Sequence, residues 1–113
     1  MPPYTPLPEP WPPAVATRAI NSLSAHPGMR FVMKSHALKR KDLRGLTTSD
    51  VLYVLKYGFV FKEHQSSSRE GFYKYLIEGR SPNTGTRSIR VCLIPDEKNL
   101  GVKVLTVMWV DGT

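Results

Sequence analysis

FYKYLIEG (72–79), RSPNTGT (80–86), RSIRVCLIP (87–95), DEKNLG (96–101) and VKVLTVMWV (102–110) follow one another without interruption. Three β-branched and aromatic runs alternate with two breaks rich in Gly, Asn, Asp and Pro, the pattern of an antiparallel meander. Ile89, Val91 and Leu93 alternate with Ser88, Arg90 and Cys92, so one face of the middle strand is apolar and the other mixed. Read with strict alternation, the last strand is apolar on both faces. Val102, Val104 and Met108 fall on one, Leu105, Val107 and Trp109 on the other. Such a strand is expected inside a sheet covered on both sides.

Working outward, Phe59 to His64 reads as the first meander strand, which predicts four antiparallel strands at 59–64, 72–79, 87–94 and 102–110. Thr47-x-x-Asp50 resembles a capping box and opens a helix over 48–57 that stops at Gly58. Ser35 offers an N-cap for a helix to Arg44, with Gly45 as its stop, and Met29 to Met33 suits a short strand. Pro13 starts, and Pro27-Gly28 ends, a helix over 14–26 with Val15, Ala19, Ile20 and Leu23 as its apolar stripe. The fold class is therefore α+β, with N-terminal helices packed on a C-terminal antiparallel β-meander. One domain spans 14–113 behind a Pro-rich tail, 1–13, whose seven prolines favour polyproline II. Tyr4, Leu7 and Trp11 of the tail are expected to pack on an apolar surface of the domain or of a partner. Helix 14–26, with Trp11 and Leu7, is expected to supply the second layer over the sheet.

A chain of 113 residues with 41% hydrophobic content suits one small core, and no apolar run reaches the roughly 18–20 residues of a membrane span. No secretory signal is visible, and a single cysteine cannot make an internal disulfide, so a cytoplasmic location and no membrane partner are expected. Mid-strand Cys92 reads as a small core hydrophobe. The net charge is +7 and uneven: Arg30, Lys34, Lys39, Arg40, Lys41 and Arg44 face only Asp42, and Arg80, Arg87 and Arg90 lie in an acid-free stretch. Such clusters suit a polyanion, either nucleic acid or an acidic protein, or simply a solvated basic surface.

His26, His36 and His64 lie in separate elements with no paired ligand spacing, so no metal or cofactor is expected. His36, Arg40 and Arg44 recur every fourth residue and fall within roughly 80° of arc on a helix. That stripe suits RNA phosphates, which arginine's planar fork can hold, or open solvent. Arg90 should leave the face opposite Ile89, Val91 and Leu93, near Tyr73, Lys74 and Tyr75 of the neighbouring strand. A basic, aromatic sheet surface can bind single-stranded RNA. It can also cleave RNA without metal, with Arg90 stabilising the phosphorane and Lys74, Tyr75 or His36 moving protons. Lys39, Arg40, Lys41, Arg44, Arg80 and Arg87 are the candidate phosphate contacts.

His36-Ala37-Leu38-Lys39-Arg40, then Arg44-Gly45-Leu46-Thr47-Thr48-Ser49-Asp50-Val51, resembles the opening of a small bacterial family. It is a domain-of-unknown-function group related to RelE-, BrnT- and MqsR-like toxins, and Thr106-Val107-Met108-Trp109 matches its ending. The resemblance runs from about Phe31 to Val110. It implies a RelE/BrnT-like α+β domain and an RNA-cleaving toxin neutralised by an antitoxin. His36 and Arg40 match the opening motif, and Arg90 matches a basic sheet residue. Trp109 stands near where some relatives carry a tyrosine, and an indole does not exchange protons at pH 7. The reading that follows is a toxin-like RNA-binding domain, up to a metal-independent endoribonuclease acting on mRNA, free or ribosome-associated. Its alternative is a non-catalytic module that binds an acidic protein or nucleic acid through its basic face.

Overall fold

The computed structural model describes residues 10–112. Helix α1, Pro13–Ala25, begins with proline in its first turn, where no backbone N–H is needed. Its buried stripe is Ala16, Ile20 and Leu23, with Val15 and Ala19 on the flanks. Strand β1, Arg30–Met33, leads into α2, Ser35–Leu43. Lys34, not Ser35, is the N-cap of α2, and no side chain caps it. The end of α2 is as expected: Gly45 adopts φ +69°, and its N–H donates to Asp42 C=O at 3.1 Å while Leu46 N–H donates to Lys41 C=O at 2.9 Å. Helix α3, Thr48–Tyr57, opens with the full capping box: Thr47 Oγ1 accepts from Asp50 N–H at 3.1 Å, and Thr47 N–H donates to Asp50 Oδ2 at 2.9 Å. Gly58 closes it for a steric reason, because a Cβ there would lie 2.6 Å from the carbonyl oxygens of Glu78 and Val54.

The strands then follow as β2, Phe59–Val60; β3, Gln65–Ser66; β4, Tyr73–Gly79; β5, Ile89–Asp96; and β6, Gly101–Trp109, with one 3-10 turn at Glu97–Asn99. Of the expected strand over 59–64 only Phe59–Val60 forms, and the strand piece Gln65–Ser66 lies beyond it, the two pairing with β4 at different places. The core of the meander, β4-β5-β6, is antiparallel as expected. The sheet as a whole is not. It has six strands in the order β1-β6-β5-β4-β2, with β3 also on β4, and β1 pairs parallel to β6. The four-stranded antiparallel expectation is corrected to a mixed sheet by this crossover through the helices.

A second correction concerns β6. Cys92 pairs with Thr106 but Leu93 pairs with Val104, so Leu105 is an extra residue, a β-bulge. The bulge shifts the side-chain phase by one, and Val102, Val104 and Val107 all face the same core. The strand is apolar on one face, not two. Accordingly α1 does not build a second layer: it packs against α3, β2 and β6, and α2 packs on β6, all within one hydrophobic cluster. That cluster includes Ile20, Ala37, Leu55, Ile77, Val91 and Leu93. Trp11 does dock, stacking on Tyr75 at 5.6 Å. Tyr4 and Leu7 lie outside the described residues.

Candidate nucleic-acid interface

All three α-helices lie on one face of the sheet, and among the described residues no α-helix covers the other. Strand alternation fixes what that open face carries. Lys74, Leu76 and Glu78 come from β4, Arg90, Cys92, Ile94 and Asp96 from β5, and Arg30 and Val32 from β1. Lys103 and, past the bulge, Thr106 and Met108 come from β6. Register sets these in cross-strand rows: Glu78 beside Arg90 beside Met108, Leu76 beside Cys92 beside Thr106, and Val32 beside Lys103 beside Ile94.

At the β1 end of this face lies a cavity of about 450 Å³. Arg30, Arg69 and Lys103 line it, with Phe72, Ile94 and Val32 as apolar wall. The loop 67–72 forms its rim, held by Ser67, whose Oγ donates to Phe72 C=O at 2.7 Å and accepts from Arg69 N–H at 3.1 Å. The Arg69 guanidinium lies 4.4 Å over the Phe72 ring. None of the three cations makes an ion pair among the described residues. In the sequence Arg30 falls within a basic cluster, whereas Arg69 and Lys103 stand apart from one. The visible signals were Lys103 inside an apolar strand and Gly101 at its start, where a missing side chain permits a close approach.

The sequence-derived candidates are spread over three places. Arg90 is on the open face, but its Nε donates to Glu78 Oε2 at 2.8 Å, and the two side chains are only 23% and 15% exposed. Lys74 shares that face and lies near Cys92, a buried free thiol whose pKa burial pushes up against the opposing charge of Lys74. Tyr75 points the other way, into the core, 3% exposed, with Trp11 N–H donating to its hydroxyl at 2.8 Å. Burial raises its pKa, which outweighs the bond from Trp11, so it is set up to pack and not to exchange protons beside Arg90. His36, Lys39 and Arg40 are exposed on α2, on the helix side of the sheet. The four proposed catalytic side chains therefore do not meet in one site. Lys41 pairs with Asp42 at 2.7 Å, and Arg44 donates to Arg40 C=O at 3.4 Å. Arg87 is bidentate to Asp111 at 2.9 Å and lies 3.8 Å over Trp109, while Arg80 is exposed in the β4–β5 loop.

That loop is anchored by Asp50. Ser81 Oγ donates to Asp50 Oδ1 at 2.6 Å and Asn83 Nδ2 to Oδ2 at 3.2 Å, and Asp50 is 3% exposed. Burial works against its charge, but the bonds from Ser81, Thr47 and Asn83 together hold its pKa below the usual carboxylate value. The capping box was legible; its second role, tying α3 to residues 81–84, was not. Among the described residues no three His, Cys, Asp or Glu side chains gather as metal ligands, and no helix is long and apolar enough to cross a membrane.

Residues 33–109, from the end of β1 to the end of β6, match the family model described as Domain of unknown function (DUF4258). The chain belongs to the DUF4258 family. No curated protein and no solved structure matches it. The family description names no activity, and it carries no link to RelE-, BrnT- or MqsR-like toxins. The DUF4258 segment contains α2, α3, the Asp50 anchor, the Glu78–Arg90 pair, Arg69 and Lys103. Helix α1, Trp11 and Arg30 fall before it, so of the cavity's three cations one lies outside the family segment and two inside it.

Proposed function

We propose that this protein binds single-stranded RNA on the face of its sheet opposite the three helices, as a cytoplasmic, toxin-like member of its family with a RelE/BrnT-like arrangement. The observation that carries this is the cavity on that face, which Arg30, Arg69 and Lys103 line with a single carboxylate, Asp96, none of the three cations making an ion pair among the described residues. Like charges held together repel, and a phosphate backbone offsets that repulsion. Val32, which is exposed, and the half-buried Phe72 and Ile94 beside them give bases a surface, which an acidic protein would use less well. The test is titration with labelled single-stranded RNA at rising salt. Phosphate contacts from all three cations predict a slope of log K against log salt of about −2, and contacts from two of them about −1.4. No binding at low salt would overturn the reading in favour of a module for an acidic protein, of which an antitoxin is the natural case.

Cleavage is a second reading, favoured by the Glu78–Arg90 pair, with Glu78 in place of Tyr75 and His36 as the base. A carboxylate that can take the 2′-OH proton sits 2.8 Å from a guanidinium that can stabilise the phosphorane, both on the open face. Lys74, on the same strand and face, is the available acid for the leaving oxygen. Glu78→Gln and Arg90→Ala should each slow EDTA-resistant RNA hydrolysis by about 100- to 1000-fold. Induction of the wild type in bacteria should arrest growth. If it leaves RNA intact and growth unchanged, cleavage is rejected and binding stands or falls on the titration alone.

A further inference from the structure

We propose that the cavity under the 67–72 loop holds one nucleotide of the RNA strand, with its phosphate between Arg30 and Lys103 and its base stacked on Arg69. This rests on the RNA-binding reading and specifies where that binding is anchored. Arg30 and Lys103 come from neighbouring strands, one register step apart: Arg30 pairs with Gly101, and Val32 with Lys103. Both line the same cavity, one from β1 and the other from β6. Arg69 reaches the same space from the rim and lies over Phe72 at 4.4 Å, which holds the guanidinium in place against the ring. A held guanidinium offers its free face to a nucleobase, a recurrent way of gripping unstacked RNA.

The space itself is made by Gly101. The row Arg30–Gly101–Asp96 has a side chain at each end and none in the middle. Asp96, whose Oδ2 accepts from Asn99 Nδ2 at 2.9 Å, closes one side. As an anion it excludes a second phosphate there and leaves an acceptor for a ribose hydroxyl or a base amino group. A volume of about 450 Å³ lies within the roughly 300–1,000 Å³ of small-ligand sites, enough for one nucleotide and too little for a folded partner.

Gly101 also supplies the discriminating variant. A Cβ there would meet only Asp96, at 3.6 Å from its Cβ and 3.9 Å from its carbonyl oxygen, both ordinary contacts. Gly101→Val therefore intrudes on the floor of the cavity while leaving every charge in place. Gly101→Ala, smaller still, serves as the control for folding. The full chain is titrated with a single-stranded oligoribonucleotide, with each of the four ribonucleoside monophosphates and with inorganic phosphate, followed by backbone amide NMR. Binding of a mononucleotide should move the Gly101, Phe72 and Arg69 amides. Gly101→Val, and separately Arg69→Ala with Lys103→Ala, should weaken the oligonucleotide by about tenfold or more. If Gly101→Val is folded and binds it as tightly as wild type, the cavity is not the anchor, although the open-face reading survives. If inorganic phosphate competes as well as a mononucleotide does, the site is for an anion alone and the nucleotide assignment is overturned. If the wild type binds no RNA, both readings fall together.

Discussion

Leu93 and Ile94 are consecutive residues of β5, yet Leu93 is fully buried under the helices while Ile94 borders an open cavity. The same contrast holds along most of the sheet, the buried Cys92 being an exception on the open side. On the helix side Ile77, Ile89, Val91, Val104 and Val107 are completely inaccessible. On the other side apolar residues are interleaved with Lys74, Glu78, Arg90 and Lys103. One face carries the burial that stabilises the fold, and the other is released from that demand. A face that need not be apolar can keep cations together, which is what a polyanion site requires.

The sharpest way to break the comparison is to truncate each of the two neighbours. Leu93→Ala should cost about 2–5 kcal/mol in urea unfolding, whereas Ile94→Ala should cost roughly 1 kcal/mol or less. Equal losses would mean that the open face is covered in solution. Asp50 comes next, since it ties the helix side to the β4–β5 loop. Asp50→Ala leaves Ser81 and Thr47 donors without their acceptor and should cost about 1–3 kcal/mol.

Its pH dependence has a definite sign. The folded pKa lies below the unfolded value of about 3.8, so the carboxylate contributes stability above that value and loses it as pH falls through the folded pKa. Asp50→Asn should therefore flatten the acid limb of the stability curve between pH 4 and lower values. An unchanged limb would show that other carboxylates govern acid unfolding.

Trp11→Ala tests whether the segment before α1 belongs to the core side. Losing the stack on Tyr75 should lower stability by about 0.5–1.5 kcal/mol plus the lost burial, seen as a lower Tm. The smallest effect is expected on the outer surface of the helix layer. Arg40→Ala with Arg44→Ala should change RNA affinity by less than about threefold, because surface charge away from the bound strand acts only through screened, long-range attraction. A loss larger than that from Arg69→Ala with Lys103→Ala would place the strand across α2 and reverse the assignment of the two sides.

Much of the architecture is written locally. Thr47 and Asp50 announce the start of α3, Gly45 ends α2 with a positive φ, and Pro13 with Pro27-Gly28 brackets α1. The three long strands are readable because two turn-rich breaks separate them. The candidate site was less legible. Arg90 was rightly placed on the face opposite Leu93, but nothing local reveals that Glu78, on another strand, neutralises it. Tyr75 belongs to the buried set of β4 with Ile77, and only packing against Trp11 and the helices shows which of its alternating sets that is. Arg30, Arg69 and Lys103 look like scattered surface charges until the strands are paired.

The sequence alone determined the three helices and the three long strands, because hydrophobic period, caps and turn residues act over a few positions, but not the short strands β2 and β3. It also determined that the surface is basic. Only the tertiary structure decided which face of the sheet stays open. That choice depends on the parallel docking of β1 on β6 and on one extra residue at Leu105, which turns Val107 back toward the core. A bulge changes the phase of every residue after it without any marker in its own side chain, and strand pairing is a contact between segments far apart in the chain.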